Sequence, residues 1–293
     1  MAVAEAAGTK SGSRLLYVDN LRILLISLVI TTHCSITYGG PGSWYFHDPG
    51  NAAGTPFILC MIDSLNQSFF MDFFVLVSAY FIVGPLQRKG RERFTRDRLV
   101  RLGIPLAVWL LFINPLLILI VKLGTGTLPM DLETLLDPVN GPALGPMWFV
   151  FFLLVATFAY LLWTGLDRPD QAIDRKPHSF PGIISIAALG LLLGMVTAGV
   201  RFFLPIGSTW LFNFQIPFAP QYLAMFIIGI YAAQNNWFDS IPARVGRACT
   251  VAALLLVAVQ PVILYLFTDS ASGLTPFIGG GFHWPAVCYA FWE

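Results

Sequence analysis

Two ionisable residues stand inside an otherwise apolar run near the start of the chain. The stretch DNLRILLISLVITTHCS, residues 19–35, carries Asp19, Arg22 and His33. Arg22 and His33 are eleven positions apart. At helical spacing, eleven steps make three turns plus about 20°, so both project from one face, ~16 Å apart along the axis. That face reads Asp19, Arg22, Ile26, Ile30, His33, Thr37. An imidazole, with a reference pKa of about 6.5, can take a proton from a hydroxyl. An ionisable side chain deep in a membrane span costs roughly 2.5–3.5 kcal/mol on insertion scales and marks a functional candidate. The plainer alternatives are an interfacial, snorkelling Asp19–Arg22 pair and a structural histidine bonded to a neighbouring helix.

Further candidates surround this pair. Asp72, in FFMDFFVLVSAYF, falls ~18 Å above the cytoplasmic end of its own span, the depth of His33. A carboxylate there could orient the imidazole and stabilise its protonated form, or simply bond to another helix. Arg98 and Arg101 abut the start of the next span. Three residues apart on a helix, their guanidiniums can grip one phosphorylated ligand such as coenzyme A from the cytoplasm. Most of the remaining charge in that loop serves as a topology anchor. Trp148 and Arg201 sit near the outer ends of their spans, where a belt anchor and a snorkelling arginine are the alternatives. His47 and Asp48 lie in an outer, turn-rich loop, and His283 and Trp284 mark an outer interface. Glu293 needs a buried partner.

Lipid must be the solvent for the elements that position these residues. The 293-residue chain is 56% hydrophobic and only 11% charged, with mean hydropathy +0.72. Soluble chains average about 25% charged residues, so this one cannot cover a globule with polar surface. The net charge of +1 gives no footing for nucleic-acid binding. A helical span needs about 20 mostly apolar residues. Seven such runs fall near 20–38, 63–84, 103–123, 146–166, 181–204, 219–236 and 247–268, with an eighth starting at 277. The segment 57–84 is too long for one upright span, which places FILCMI at the outer interface or in a tilted extension. The expected fold is therefore all-α, a polytopic transmembrane bundle of about seven full spans plus a partial eighth. A cytoplasmic tail occupies 1–19 and the membrane domain 20–293. The tail lacks a signal-peptide pattern.

Charge sets the sidedness. Lys10 and Arg14 precede the first span, and seven basic residues crowd 85–102, from Arg88 to Arg101. Arg168, Arg175 and Lys176 lie in 167–180, and Arg244 in 237–246. The intervening loops 39–56, 124–145, 205–218 and 269–276 carry no Lys or Arg. Positive loops stay cytoplasmic, so the N-terminus is inside. The four cysteines, Cys34, Cys60, Cys249 and Cys288, form no zinc or redox spacing, and no metal site is expected. Cys34 and Cys60 both fall near the outer face, where a disulfide and two separate small hydrophobes are the options.

Taken together, these blocks resemble the acyltransferase-3 family of integral membrane acyltransferases. DNLRILLISLVITTH resembles its first-helix Asp, Arg, apolar run, His. FFMDFFVLVSAYF (69–81) resembles the second-helix block ending Ser-Gly-Tyr-Phe, with Ala79 in place of the usual Gly, which implies slightly looser helix packing. RDRLVRLGIP (96–105) resembles the Arg-x-x-Arg motif, and GPMWFVFFLL (145–154) a Gly-x-x-Trp-Phe block. QYLAMFIIGIYAAQNNWFDSIP (221–242) is similar to a segment of the glucan-succinylating branch.

The resemblance implies an O-acyltransferase of the plasma (inner) membrane. It would take an acyl group from cytosolic acyl-CoA, a co-substrate rather than a tightly bound cofactor. The acceptor would be a hydroxyl, of a carbohydrate or another molecule, on the extracytoplasmic side. In that scheme His33 is the general base, Arg22 and Asp72 assist, Arg98 and Arg101 hold the donor, and Trp148 and Arg201 face the acceptor. The family's usual ten or so spans imply that a chain ending inside its eighth is truncated and inactive. The competing reading is a proton-coupled transporter using Arg22, His33 and Asp72, although no internal repeat of the transporter kind is seen.

Overall fold

The structure, a computed structural model, describes residues 16–42, 44–48, 55–126, 144–166, 178–210, 214–267 and 284–293. Lys10, Arg14, Arg168, Arg175, Lys176 and His283, and most of the loops 124–145, 167–180 and 269–276, lie outside these residues. The described part is helical except for a two-residue antiparallel hairpin, β1 (Thr209–Trp210) with β2 (Phe214–Gln215). We number the helices α1 (Leu16–Thr37), α2 (Thr55–Gln67), α3 (Phe70–Lys89), α4 (Arg91–Thr125), α5 (Trp148–Leu166), α6 (Ile183–Phe203), α7 (Ala219–Gln234), α8 (Ala243–Phe267) and α9 (Trp284–Trp292). Seven stretches among the described residues are long and apolar enough to cross a membrane, and they coincide with the seven expected spans. The lipid-facing character shows in α8, where Val251, Leu254 and Leu255 are exposed.

The long second run is two helices rather than one tilted span. A turn at Ser68 and Phe69 separates α2 from α3, and the Ser68 hydroxyl donates to the Leu65 carbonyl at 2.7 Å. Between α3 and α4 the chain turns at Gly90, whose φ of +74° is open to glycine and strained for other residues. Just beyond, Arg91 donates to the Leu161 carbonyl at 2.6 Å and to Thr164 Oγ1 at 3.3 Å, tying the start of α4 to the C-terminal end of α5.

Two wide π-turns interrupt α4, at Leu99–Gly103 and Trp109–Ile113. Each precedes a proline, which lacks an N–H and whose ring collides with the carbonyl four residues back. The ladder bypasses the problem by one residue: Ile104 N–H bonds to Leu99 O, and Asn114 N–H to Trp109 O.

The core is built on α3. Val75, Ala79 and Ile82 are buried against Phe152 and Leu153 of α5, Phe226 and Ile230 of α7, and Leu25 of α1. The α3–α7 contact is very close. A Cβ at Gly229 would collide with the Leu76 carbonyl and lie 2.8 Å from Ala79 Cβ. Ala79 is itself 0% exposed, so its methyl does not loosen this contact; the room comes from the glycine across from it. Cys34 is exposed and Cys60 buried, and both are free thiols rather than a disulfide. The reason is azimuthal: Ser35, not Cys34, bonds to α2.

Gly229→Ala is expected to destabilise the protein by ~1–3 kcal/mol through overpacking. Gly190→Ala, where an added Cβ meets nothing within 4 Å, should be neutral or slightly stabilising. Thermal unfolding of the detergent-purified variants checks both.

Candidate functional site

A cavity of about 1080 Å³ opens between α1, α2, α5 and α7, at the end that the positive-inside rule places outside. Ile26, Ile30 and His33, three members of the face read from α1, line it. His33 Nδ1 lies 2.7 Å from the Val29 carbonyl. A carbonyl only accepts, so Nδ1 carries the proton and donates. In the neutral ring this leaves Nε2 with a bare lone pair, the form a general base requires. The ring is also wedged edge-on against Trp44, with centroids 4.0 Å apart at 74°.

Trp44 belongs to a strap that follows α1. The Asp48 N–H bonds to Thr37 O at 2.7 Å, and the exposed His47 has Nδ1 3.0 Å from the Ile36 carbonyl, so the loop folds back on the helix. Its deep anchor is Tyr45, whose hydroxyl donates to Oδ1 of Asn114, a residue on α4 that is 0% exposed. A Cβ at Gly145 would stand 2.7 Å from that hydroxyl, so the start of α5 is cut to fit the strap. Burial pushes the Tyr45 phenol up to about 12.

A polar seam forms the opposite wall. Asn66 Nδ2 donates to Thr32 Oγ1 at 3.1 Å, and Ser35 Oγ donates to Asp63 Oδ2 at 2.8 Å, tying α2 to α1. Gln260 of α8 donates to Ser64 Oγ at 2.6 Å and to the Met61 carbonyl at 2.9 Å. Gln67 Nε2 donates to the Tyr222 hydroxyl at 3.3 Å. Asp63, Ser64, Gln67 and Tyr222 all line the cavity. Sequence reasoning passed over this group because it set the start of the run at an interface. The signal was present: Asp63, Ser64, Asn66 and Gln67 put four polar residues within five positions of an apolar helix.

The expected site residues fall into three places. His33 and Trp148 share the cavity, and Trp148 is stacked on Tyr222 with centroids 5.0 Å apart. Asp72 and Arg201 lie behind it. Arg201 forms a 2.5 Å ion pair with Glu293, their side chains 3% and 0% exposed, so Glu293 does have a buried partner. The guanidinium lies 4.8 Å from the ring centre of Phe218 and 5.9 Å from that of Tyr289, two residues that line the cavity. Asp72 is buried and feels the charges of Glu293 and Arg201. Asp72 is not among the residues lining the cavity that His33 borders, the charges acting on it are those of Glu293 and Arg201, and the imidazole bonds to its own helix. Arg22, Arg98 and Arg101 lie toward the cytoplasmic end. Arg22 packs over Phe81 at 4.9 Å, and Arg98 over Phe94 at 5.0 Å. Arg98 is half-buried and Arg101 exposed. Among the described residues no cluster of His, Cys, Asp or Glu could hold a metal.

Helices of membrane-spanning length around a polar-lined internal cavity define an integral membrane protein with a site inside its bundle. Residues 15–292 match the acyltransferase domain family, and the chain belongs to this acyltransferase-3 family. It is 26% identical over 250 residues to the glucans biosynthesis protein C of Escherichia coli (strain K12), a match covering 82% of this chain. It is 27% identical to the protein of that name from Salmonella paratyphi A (strain ATCC 9150 / SARB42), over 81% of the chain. With that from Shigella dysenteriae serotype 1 the identity is 25% over 82%. The chain spans 63% of the length of these relatives. No solved structure matches it.

The raised Tyr45 pKa gives a pH signature for the strap. The folded value lies above the usual value of about 10. The stability it confers is therefore whole below about pH 10 and lost as pH rises toward 12. The phenolate absorbance assigned by subtracting a Tyr45→Phe variant should emerge near pH 12. That variant strands the Asn114 amide and should lose ~1–3 kcal/mol in thermal unfolding.

Proposed function

We propose that this chain carries the catalytic centre of a membrane O-acyltransferase. It moves an acyl group from a cytosolic acyl-CoA to a hydroxyl of a carbohydrate on the extracytoplasmic side. The observation that carries the reading is His33: its Nδ1–H is committed to the Val29 carbonyl at 2.7 Å, and its ring borders a large outward cavity.

Nε2 takes the proton from the acceptor hydroxyl as the oxygen attacks the thioester carbonyl. The tetrahedral intermediate collapses and breaks the carbon–sulfur bond. The imidazolium returns its proton to the departing thiolate, so the products are an ester and free coenzyme A, and His33 ends as it began. Arg98, just before the first π-turn of α4, and Arg101, within it, bind the donor's phosphates at the cytoplasmic mouth. Arg22 stands one turn below Ile26, where the cavity lining begins, and faces the path of the acyl chain. Trp148 and its stacked partner Tyr222 wall the acceptor side, and Arg201 braces that wall from behind through Phe218. Asp72 serves the same buried ion pair. The glucan-related names of the relatives support a carbohydrate acceptor. A transporter reading would need Asp72 in line with His33.

Transfer from labelled acyl-CoA to a glucan oligosaccharide, measured in membranes that hold the whole protein to which this chain belongs, should fall ~10²–10⁴-fold in His33→Ala. Arg98→Ala and Arg101→Ala should each raise the KM for acyl-CoA with little change in kcat. Intact acyl transfer in His33→Ala would end the proposal.

A further inference from the structure

The α2 wall of the cavity holds a carboxyl group that the reaction above does not use. Asp63 is 5% exposed and lines the cavity. One of its oxygens, Oδ2, accepts the Ser35 hydroxyl. The other, Oδ1, has no hydrogen-bond partner among the described residues. Gly40 presses on the same spot: a Cβ there would collide with the Asp63 carboxyl and stand 2.6 Å from Ser35 Oγ. The carboxyl is thus fixed on one side and unsatisfied on the other. A buried acceptor left without a donor is costly, and such groups in native structures have a reason. Among the described residues that line the cavity there is no Lys or Arg that could satisfy it.

We infer, on the basis of the acyl-transfer reading above, that Asp63 is an acceptor-binding residue. When the acceptor enters, Oδ1, which is closed to water in this structure, is uncovered and takes a hydrogen bond from one hydroxyl of an uncharged polyol while another hydroxyl of that molecule is presented to His33 Nε2. Three features fit this ligand class. A carboxyl oxygen is a strong acceptor for hydroxyl groups. Trp44 and Trp148, which also line the cavity, offer flat apolar faces for the ring of a sugar. A wall with a carboxyl and, among the described residues, no Lys or Arg disfavours an anionic acceptor.

Kinetics of Asp63→Ala, Asp63→Asn and Ser35→Ala in membranes test this, with labelled acyl-CoA and a neutral glucan oligosaccharide as probes. Ser35 does not line the cavity, and Ser35→Ala removes the same interhelical bond while leaving the carboxyl in place. Asp63→Ala should raise the acceptor KM about ten- to a hundredfold and leave the acyl-CoA KM unchanged. Asp63→Asn, which keeps an acceptor oxygen, should recover part of that loss, and Ser35→Ala should shift the acceptor KM less than about threefold. Wild type should reject the same oligosaccharide oxidised to carry carboxylates, and Asp63→Ala should narrow that discrimination. An equal acceptor-KM change in Ser35→Ala and Asp63→Ala, or none in Asp63→Ala, overturns the inference. If Asp63→Ala does not accumulate, Asp63→Asn against Ser35→Ala decides: the larger acceptor-KM change must belong to Asp63→Asn. These outcomes are separate from the His33→Ala result, which tests the acyl-transfer reading itself.

Discussion

Inside a bilayer a polar side chain has no water to bond to, so it must find its partner in the protein or in a cavity the protein encloses. The seam along α2 is where this chain meets that constraint. Thr32 and Ser35 of α1, Tyr222 of α7 and Gln260 of α8 each reach a polar side chain on α2. Such bonds are individually modest, averaging about 0.6 kcal/mol in membranes. Their effect is geometric: they hold α2 as a short, separate helix inside the bundle and thereby shape one wall of the cavity. If α2 ran on into α3 as a single rod, that wall would be gone.

The same constraint governs the opposite wall. His33 spends its Nδ1–H on its own helix, which fixes the tautomer without calling on a neighbour. Trp44 braces the ring from the strap, and the strap is held by one buried hydroxyl–amide contact to α4. The imidazole is therefore oriented by a backbone carbonyl and an indole rather than by a carboxylate. Asp72 is left to a different task, within range of the buried Arg201–Glu293 pair that lies behind the cavity's aromatic lining.

Much of this was legible in the chain itself. Hydropathy located the seven spans, because a length of about 20 apolar residues has few other meanings. Helical phase placed Asp19, Arg22, Ile26, Ile30, His33 and Thr37 on one face, and its middle members Ile26, Ile30 and His33 do line the cavity. What failed was azimuth between helices. Depth can be counted from a loop, but which neighbour a side chain meets depends on packing. So Asp72 looked level with His33 yet is not in the cavity wall with it, and Cys34 looked near Cys60 while Ser35 makes the contact. The break at Ser68 and Phe69 was hidden for another reason: neither a proline nor a glycine marks it.

The two π-turns of α4 bear on that same question of azimuth. Each inserts one residue into the helix, and one residue turns everything beyond it by about 100°. Arg98 precedes both turns and Asn114 follows them. The direction in which the buried amide meets Tyr45 thus depends on two wide turns that each precede a proline. A family of chains sharing this fold could re-aim the strap over the imidazole by gaining or losing a proline in α4, with every residue of the cavity wall left as it is.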